Sequence, residues 1–179
     1  LVTEIVTAVD NINANPGLLQ KYQFTKIAKN NVKVALLGSG GDELFAGYLT
    51  YKANMFYKYL VIIPKFFRHF ILKVINIFPV SYKNYSISYL LKRFIEGSFY
   101  EKEKAHYWWR VIFNDDEKCS MLNFSKKENI VLDSSYKYLE HFKAASGSFE
   151  EKALVSDFEL FLGDNDLILA DHLGMHFSL

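Results

Sequence analysis

Cysteine occurs once, at Cys119. One thiol forms no intrachain disulfide and no multi-cysteine metal site, so a reducing, cytoplasmic setting is expected. Prolines number 3 and glycines 9 in 179 residues, too few for a turn-rich β-sandwich and consistent with long helices. Excess charge is also missing: 21 Lys and Arg face 20 Asp and Glu, a net of +1. No global field is available to gather nucleic acid, and a nucleic-acid partner is not expected. Residues 1–10 hold Glu4 and Asp10 and no basic residue, so they are no signal peptide. The most apolar stretch, 59–78, is interrupted by Lys65, Arg68, His69 and Lys73, which excludes a membrane span.

What is present is apolar and patterned. Hydrophobic residues make up 50% of the chain and aromatics 17%, which rules out a disordered linker. Helical spacing recurs over 1–10, 18–30, 85–95, 101–113, 128–145, 149–161 and 167–179, with a turn expected at Gly163-Asp164. Residues 11–17 read as a polar connector. Residues 49–78 read as helix broken near Pro64 and Pro79, with charges nearly all positive (Lys52, Lys58, Lys65, Arg68, Lys73). The exception to the helical pattern is 32–37, Val-Lys-Val-Ala-Leu-Leu, a short run suited to a strand buried on both faces of a parallel sheet. A single strand has no ladder partner. With Leu1 in place of Met and the last pattern running to Leu179, both ends read as cut, and the chain as a fragment of an α/β domain.

The run feeds Gly38-Ser39-Gly40-Gly41-Asp42-Glu43 and a helical pattern from Leu44 onward. Glycines between strand and helix let backbone N–H groups approach an anion, and the helix N-terminus adds partial positive charge. No Lys-Ser/Thr follows, so this is no Walker A loop, and Glu43 at the sixth position excludes G-x-G-x-x-G. A carboxylate beside phosphates needs a cation, which makes Asp42 a candidate Mg²⁺ ligand. The plainer alternative is that Ser39-x-x-Asp42 simply caps a helix.

The longer string from Val32 to Tyr48 resembles the V-K-V-V-L-S-G-D/E-G-G-D-E-L-F-G-G-Y signature of glutamine-hydrolysing asparagine synthetases. Asp10 through Asn15-Pro16 to Tyr22, Lys92 to Gly97, Tyr107 to Phe113 and Asp157 to Leu179 are similar to further segments of that family. The resemblance implies an α/β parent fold, the ATP-pyrophosphatase or adenine-nucleotide alpha-hydrolase-like parallel sheet. This chain would be a mainly α-helical part of it, with one central strand near 32–37. Residues 1–179 would be a partial synthetase domain, without the N-terminal glutaminase domain or the upstream pyrophosphate loop. The implied reaction is asparagine synthesis through a β-aspartyl-adenylate, with ATP and Mg²⁺. The implied partners are aspartate or another carboxylate and ammonia from a glutaminase domain, and a homodimer is compatible with it. The implied sites are Gly38, Ser39, Gly40, Gly41 and Glu43 for nucleotide, Asp42 for Mg²⁺, and Ser39 and Asp171 for catalysis. Tyr48, Asp164, Met175 and Ser178 also match.

Departures stand beside the matches. The family's Ser before the turn is Leu37, its acid between the first two glycines is Ser39, its Lys in K-x-D-R is Leu169, and the Arg is His172. A degenerate homologue, or an amidotransferase acting on another carboxylate, is therefore a second reading, and the fragment alone is expected to be inactive. His172 and His176 sit at half of an H-x-x-x-H zinc spacing, but Leu173 replaces the catalytic Glu. Trp108 and Trp109 read as packing anchors. The aromatic, basic segment 52–73 is expected to pack Tyr57, Phe66, Phe67 and Phe70 inward with its lysines in water; an anionic membrane surface is its rival reading. Membrane contact is not expected on balance.

Overall fold

The structure is a computed structural model that describes residues 1–9, 15, 17–77, 86–121 and 132–179. Most of the 11–17 connector, the Pro79 break and the start of the 128–145 pattern lie outside the described residues. The helices are α1 (Val2–Val9), α2 (Leu18–Ala28), α3 (Gly41–Phe45), α4 (Leu49–Ile62), α5 (Lys65–Ile75), α6 (Ile87–Gly97), α7 (Lys102–Arg110), α8 (Asp115–Met121), α9 (Tyr136–Ala144), α10 (Phe149–Ser156) and α11 (Ile168–Phe177). A π-helix, Asp157–Leu167, joins α10 to α11. The chain divides into two compact units, Leu1–Gly47 with Leu154–Leu179, and Tyr48–Ala153.

In the first unit α1, α2 and α11 enclose Ile5, Ala8, Val9, Tyr22, Leu169, Leu173 and Phe177. The i, i+4 and i+8 spacing of Leu169, Leu173 and Phe177 puts all three on one side of α11. The Tyr22 and Phe177 rings meet edge-on at 5.0 Å, a favoured geometry for their quadrupoles. In the second unit α4 packs on α7, α7 on α6 and α9, and α5 on α6. Trp109 anchors this packing against Phe94, with centroids 5.6 Å apart. Gly97 makes the approach possible, since a Cβ there would lie 2.0 Å from the Trp109 indole nitrogen. Trp108 packs in turn on Tyr100, with centroids 5.1 Å apart, so both tryptophans are packing residues, as the sequence implies. Arg68, 3% exposed, ties α5 to α6 by donating to the Ser98 hydroxyl at 2.8 Å and to the Ile63 carbonyl at 2.9 Å.

Four expectations need correction. Among the described residues no β-strand forms; 32–37 is a connection without regular structure. Val34 is 77% exposed and Leu36 96%, whereas burial on both faces was expected. The physical reason is the missing ladder: a strand is defined by its neighbour's backbone groups, and no described segment supplies them. Next, the helix after the glycines ends at Phe45. Ala46 adopts φ 54°, a left-handed cap whose N–H bonds the Asp42 carbonyl, and α4 starts afresh. The turn expected at Gly163-Asp164 is absent as well, because the π-helix carries the backbone through it. Finally, Phe66, Phe67 and Phe70 are exposed, not packed inward; of that aromatic group only Tyr57 is half-buried, its hydroxyl donating to the Tyr100 carbonyl at 2.6 Å.

Candidate functional site

The glycine-rich turn belongs to the first unit. Gly40 is buried and adopts φ 93°, a conformation that costs any residue with a Cβ. A Cβ at Gly40 would also come within 3.0 Å of Leu162 of the π-helix. This glycine is therefore required twice, by its backbone and by its neighbour. Gly38 and Gly41 differ: a Cβ on either meets no heavy atom within 4 Å, so the outer side of the turn is open.

Gly40 is the N-cap of α3, and no side chain caps it. The Ser39-x-x-Asp42 capping alternative is thereby corrected. The Ser39 hydroxyl bonds instead to Asp166, whose carboxylate also takes an ion pair from Lys21 on α2. Burial pushes the Asp166 carboxyl up; the Lys21 and Ser39 hydrogen bonds and the Lys21 charge outweigh it and hold the group below its ordinary value. Nearby, the Asn15 carboxamide accepts from the Gly17 N–H at 2.8 Å and reaches Asn165 at 3.4 Å. A cavity of about 450 Å³ lies alongside, lined by Lys21, Phe24, Leu37, Ser39, Ala170 and Gly174 among others.

The acids after the turn separate by environment. Asp42 is exposed, and its carboxylate folds over Gly47, where a Cβ would lie 1.9 Å from Oδ1. Glu43 is 5% exposed. An exposed Asp42 beside an open turn fits Mg²⁺ chemistry, because that ion takes one or two carboxylates and fills its remaining positions with phosphate and water.

The other expected positions scatter. Leu169, at the family's lysine position, is fully buried in the core of the first unit. His172 turns its Nδ1 to the Val9 carbonyl, and His176 lies 4.8 Å from the Phe177 ring. Asp171 is exposed, about 100° round α11 from Ala170, which lines the cavity. Tyr48 belongs to the second unit, where the Arg110 guanidinium lies 4.3 Å from its ring. Cys119 is half-buried on α8. Among the described residues no group of three or more His, Cys, Asp or Glu is placed to hold a metal by itself. Lys21 and Asp166 carry no signal in the sequence: they are 145 residues apart, and no spacing rule pairs charges at that separation.

Comparison with known proteins bears on the family of the chain. The profile of the asparagine synthase family matches residues 1–179. Asparagine synthetase (glutamine-hydrolyzing) 1 of Bacillus subtilis is 34% identical over 84 residues, which is 47% of this chain and 13% of the relative. Proteins of Mycobacterium bovis and Mycobacterium tuberculosis, provisionally named asparagine synthetase (glutamine-hydrolyzing), are each 31% identical over 102 residues, 57% of this chain and 16% of theirs. The chain thus covers a small part of the relatives it matches. No solved structure matches it. With the family profile aligned from the first residue to the last, the chain belongs to the asparagine synthase family.

Proposed function

We propose that this chain is part of an ATP-dependent synthetase that activates a carboxylate by adenylylation and hands it to ammonia, with aspartate as acceptor and asparagine as product. The observation that carries the reading is the turn itself, with Gly40 fixed at φ 93°, an open side at Gly38 and Gly41, and an exposed Asp42, inside a family match over the whole chain. Backbone N–H groups of Gly38, Ser39, Gly40 and Gly41 would receive the phosphates of ATP. Asp42 would hold the Mg²⁺ that screens the pyrophosphate leaving group. Glu43 would keep the turn in shape, and Asp171 would have to reach the site from the exposed side of α11. Ammonia would come from a glutaminase domain, and the working unit would be a homodimer. The exposed apolar segment 32–37, with no regular structure of its own, supports the view that the chain alone is inactive.

A second reading, a homologue that has lost the chemistry or changed its carboxylate, is favoured by one further observation. Leu169 and His172 are committed to packing and to a backbone contact, and Ser39 is held by Asp166. Neither Lys nor Arg thus stands at the family's Lys and Arg positions. Incubating the full-length protein with Mg²⁺-ATP, aspartate and amide-labelled glutamine separates the readings. Labelled asparagine is expected. An amide formed only from another carboxylate would move the protein to a different acceptor, and no amide from any carboxylate would establish the degenerate homologue.

A further inference from the structure

Helices α4 and α5 turn apolar sides outward. On α4, Lys52, Met55, Phe56, Tyr59 and Ile62 recur at helical spacing and all are exposed, while Tyr51, Asn54 and Leu60 are buried. On α5, Arg68 is buried and Ile71, Leu72 and Ile75 are half-buried. The opposite side carries Phe66, Phe67, Phe70 and Val74, continued past the helix by Ile77, all exposed. Phe66 is 76% exposed and Ile62 77%. A surface helix ordinarily shows charge to water and keeps one apolar stripe for the core. These two helices satisfy the core and still leave a second apolar stripe outside. Single exposed apolar residues are ordinary, whereas a repeated apolar stripe on each of two consecutive helices marks surface meant to be covered.

Charge indicates what covers it. From Leu44 through Ile95 the sequence contains no Asp or Glu, although the chain as a whole is nearly neutral. Lys52, Lys58, Lys65 and Lys73 are exposed on these helices, and the Lys58 ammonium lies 4.9 Å from the Tyr59 ring. The partner must therefore offer anions to lysines and hydrocarbon to Phe, Ile and Val within one surface. An acidic protein surface would have to set apolar residues between its carboxylates at positions matching two stripes of rings, aliphatics and lysines at once. Single-stranded RNA would stack on the aromatic rings but leave Ile62, Val74 and Ile77 unpartnered. An anionic lipid leaflet supplies both, headgroup phosphate for the lysines and acyl chain for the rings and aliphatics.

We propose that the outward face of α4 and α5 docks peripherally on an anionic lipid bilayer. The contact is interfacial, since no described helix is long and apolar enough to cross a membrane. It goes beyond the proposed amide chemistry and does not depend on it. The test is co-sedimentation of the full-length protein with phosphatidylcholine vesicles and with mixed phosphatidylcholine/phosphatidylglycerol vesicles. Binding is expected to the mixed vesicles only, and to fall as salt rises from about 0.1 M to about 1 M, which shortens the screening length from about 10 Å to about 3 Å. Phe66→Ser with Phe70→Ser, and separately Lys58→Glu with Lys65→Glu, are each expected to weaken binding by about tenfold or more. Their circular dichroism spectra should match the parent, since all four side chains point to solvent. Failure to bind mixed vesicles would overturn the proposal, and so would binding that neither pair of substitutions weakens. Retention of single-stranded RNA or self-association through this face, without vesicle binding, would assign it to that other occupant and likewise overturn the proposal.

Discussion

At the scale of single residues, the glycines of the turn are not equivalent. Gly40 holds φ 93° with Leu162 close behind it, while Gly38 faces open space. Gly40→Ala is expected to cost about 1–2 kcal/mol from the left-handed backbone alone, and Gly38→Ala none; urea denaturation of the two variants makes the comparison. Lys21 and Asp166 give a second residue-level expectation. The folded Asp166 carboxyl lies below its unfolded value of about 4. A lowered pKa stabilises the fold above that value, and the stability drains as pH falls through the folded pKa. Lys21→Met removes the ion pair and leaves burial to push the carboxyl up. Because both side chains are 27% exposed, the cost near neutrality is put at about 1 kcal/mol, discounted for solvent screening. In urea titrations at neutral pH and near pH 3, the variant should lose less stability on acidification than the parent. A variant with an unchanged acid limb would show that the pair is inert.

At the scale of elements, periodicity was a good guide wherever a helix buries one side. The spacing over 1–10, 18–30 and 85–95 corresponds to α1, α2 and α6, and Pro64 separates α4 from α5. It failed where the outcome depended on something outside the segment. The β-branched run 32–37 has the composition of a buried strand, but composition cannot supply a ladder. Gly163-Asp164 has the composition of a turn, but the helical runs on either side carry the chain through it as π-helix. The outward Phe66 and Phe70 share α5 with the inward Arg68, and helical spacing alone does not say which stripe meets the core. Leu169 shows how an element overrides a motif. Its register with Leu173 and Phe177 sends it into the core, wherever the family's lysine points. Leu169→Lys, the apparent restoration of the motif, is expected to destabilise by about 3 kcal/mol or more by burying an unpaired charge. Leu169→Met should cost less than about 1.5 kcal/mol. Chemical denaturation of both variants is the check; a tolerated lysine would mean that α11 can rotate this side chain toward the turn.

At the scale of the whole molecule, the family was legible because the string from Val32 to Tyr48 joins a turn chemistry to its sequence surroundings, which composition alone does not do. The candidate site was legible in part. Its glycines and acids are local in sequence, whereas the brace of Lys21, Ser39 and Asp166 comes from three distant segments brought together by folding. The near-zero net charge suits a site that would take phosphate through backbone N–H groups and a metal ion. It also conceals the acid-free stretch of α4 and α5, since a sum over the chain averages that stretch away. The central claim is carboxylate activation by ATP. It is tested most directly by isotope exchange between pyrophosphate and ATP in the full-length protein, because that step is reversible and needs neither glutamine nor ammonia. Exchange that depends on aspartate and is lost in Asp42→Asn is expected; no exchange with aspartate or any other carboxylate would contradict it.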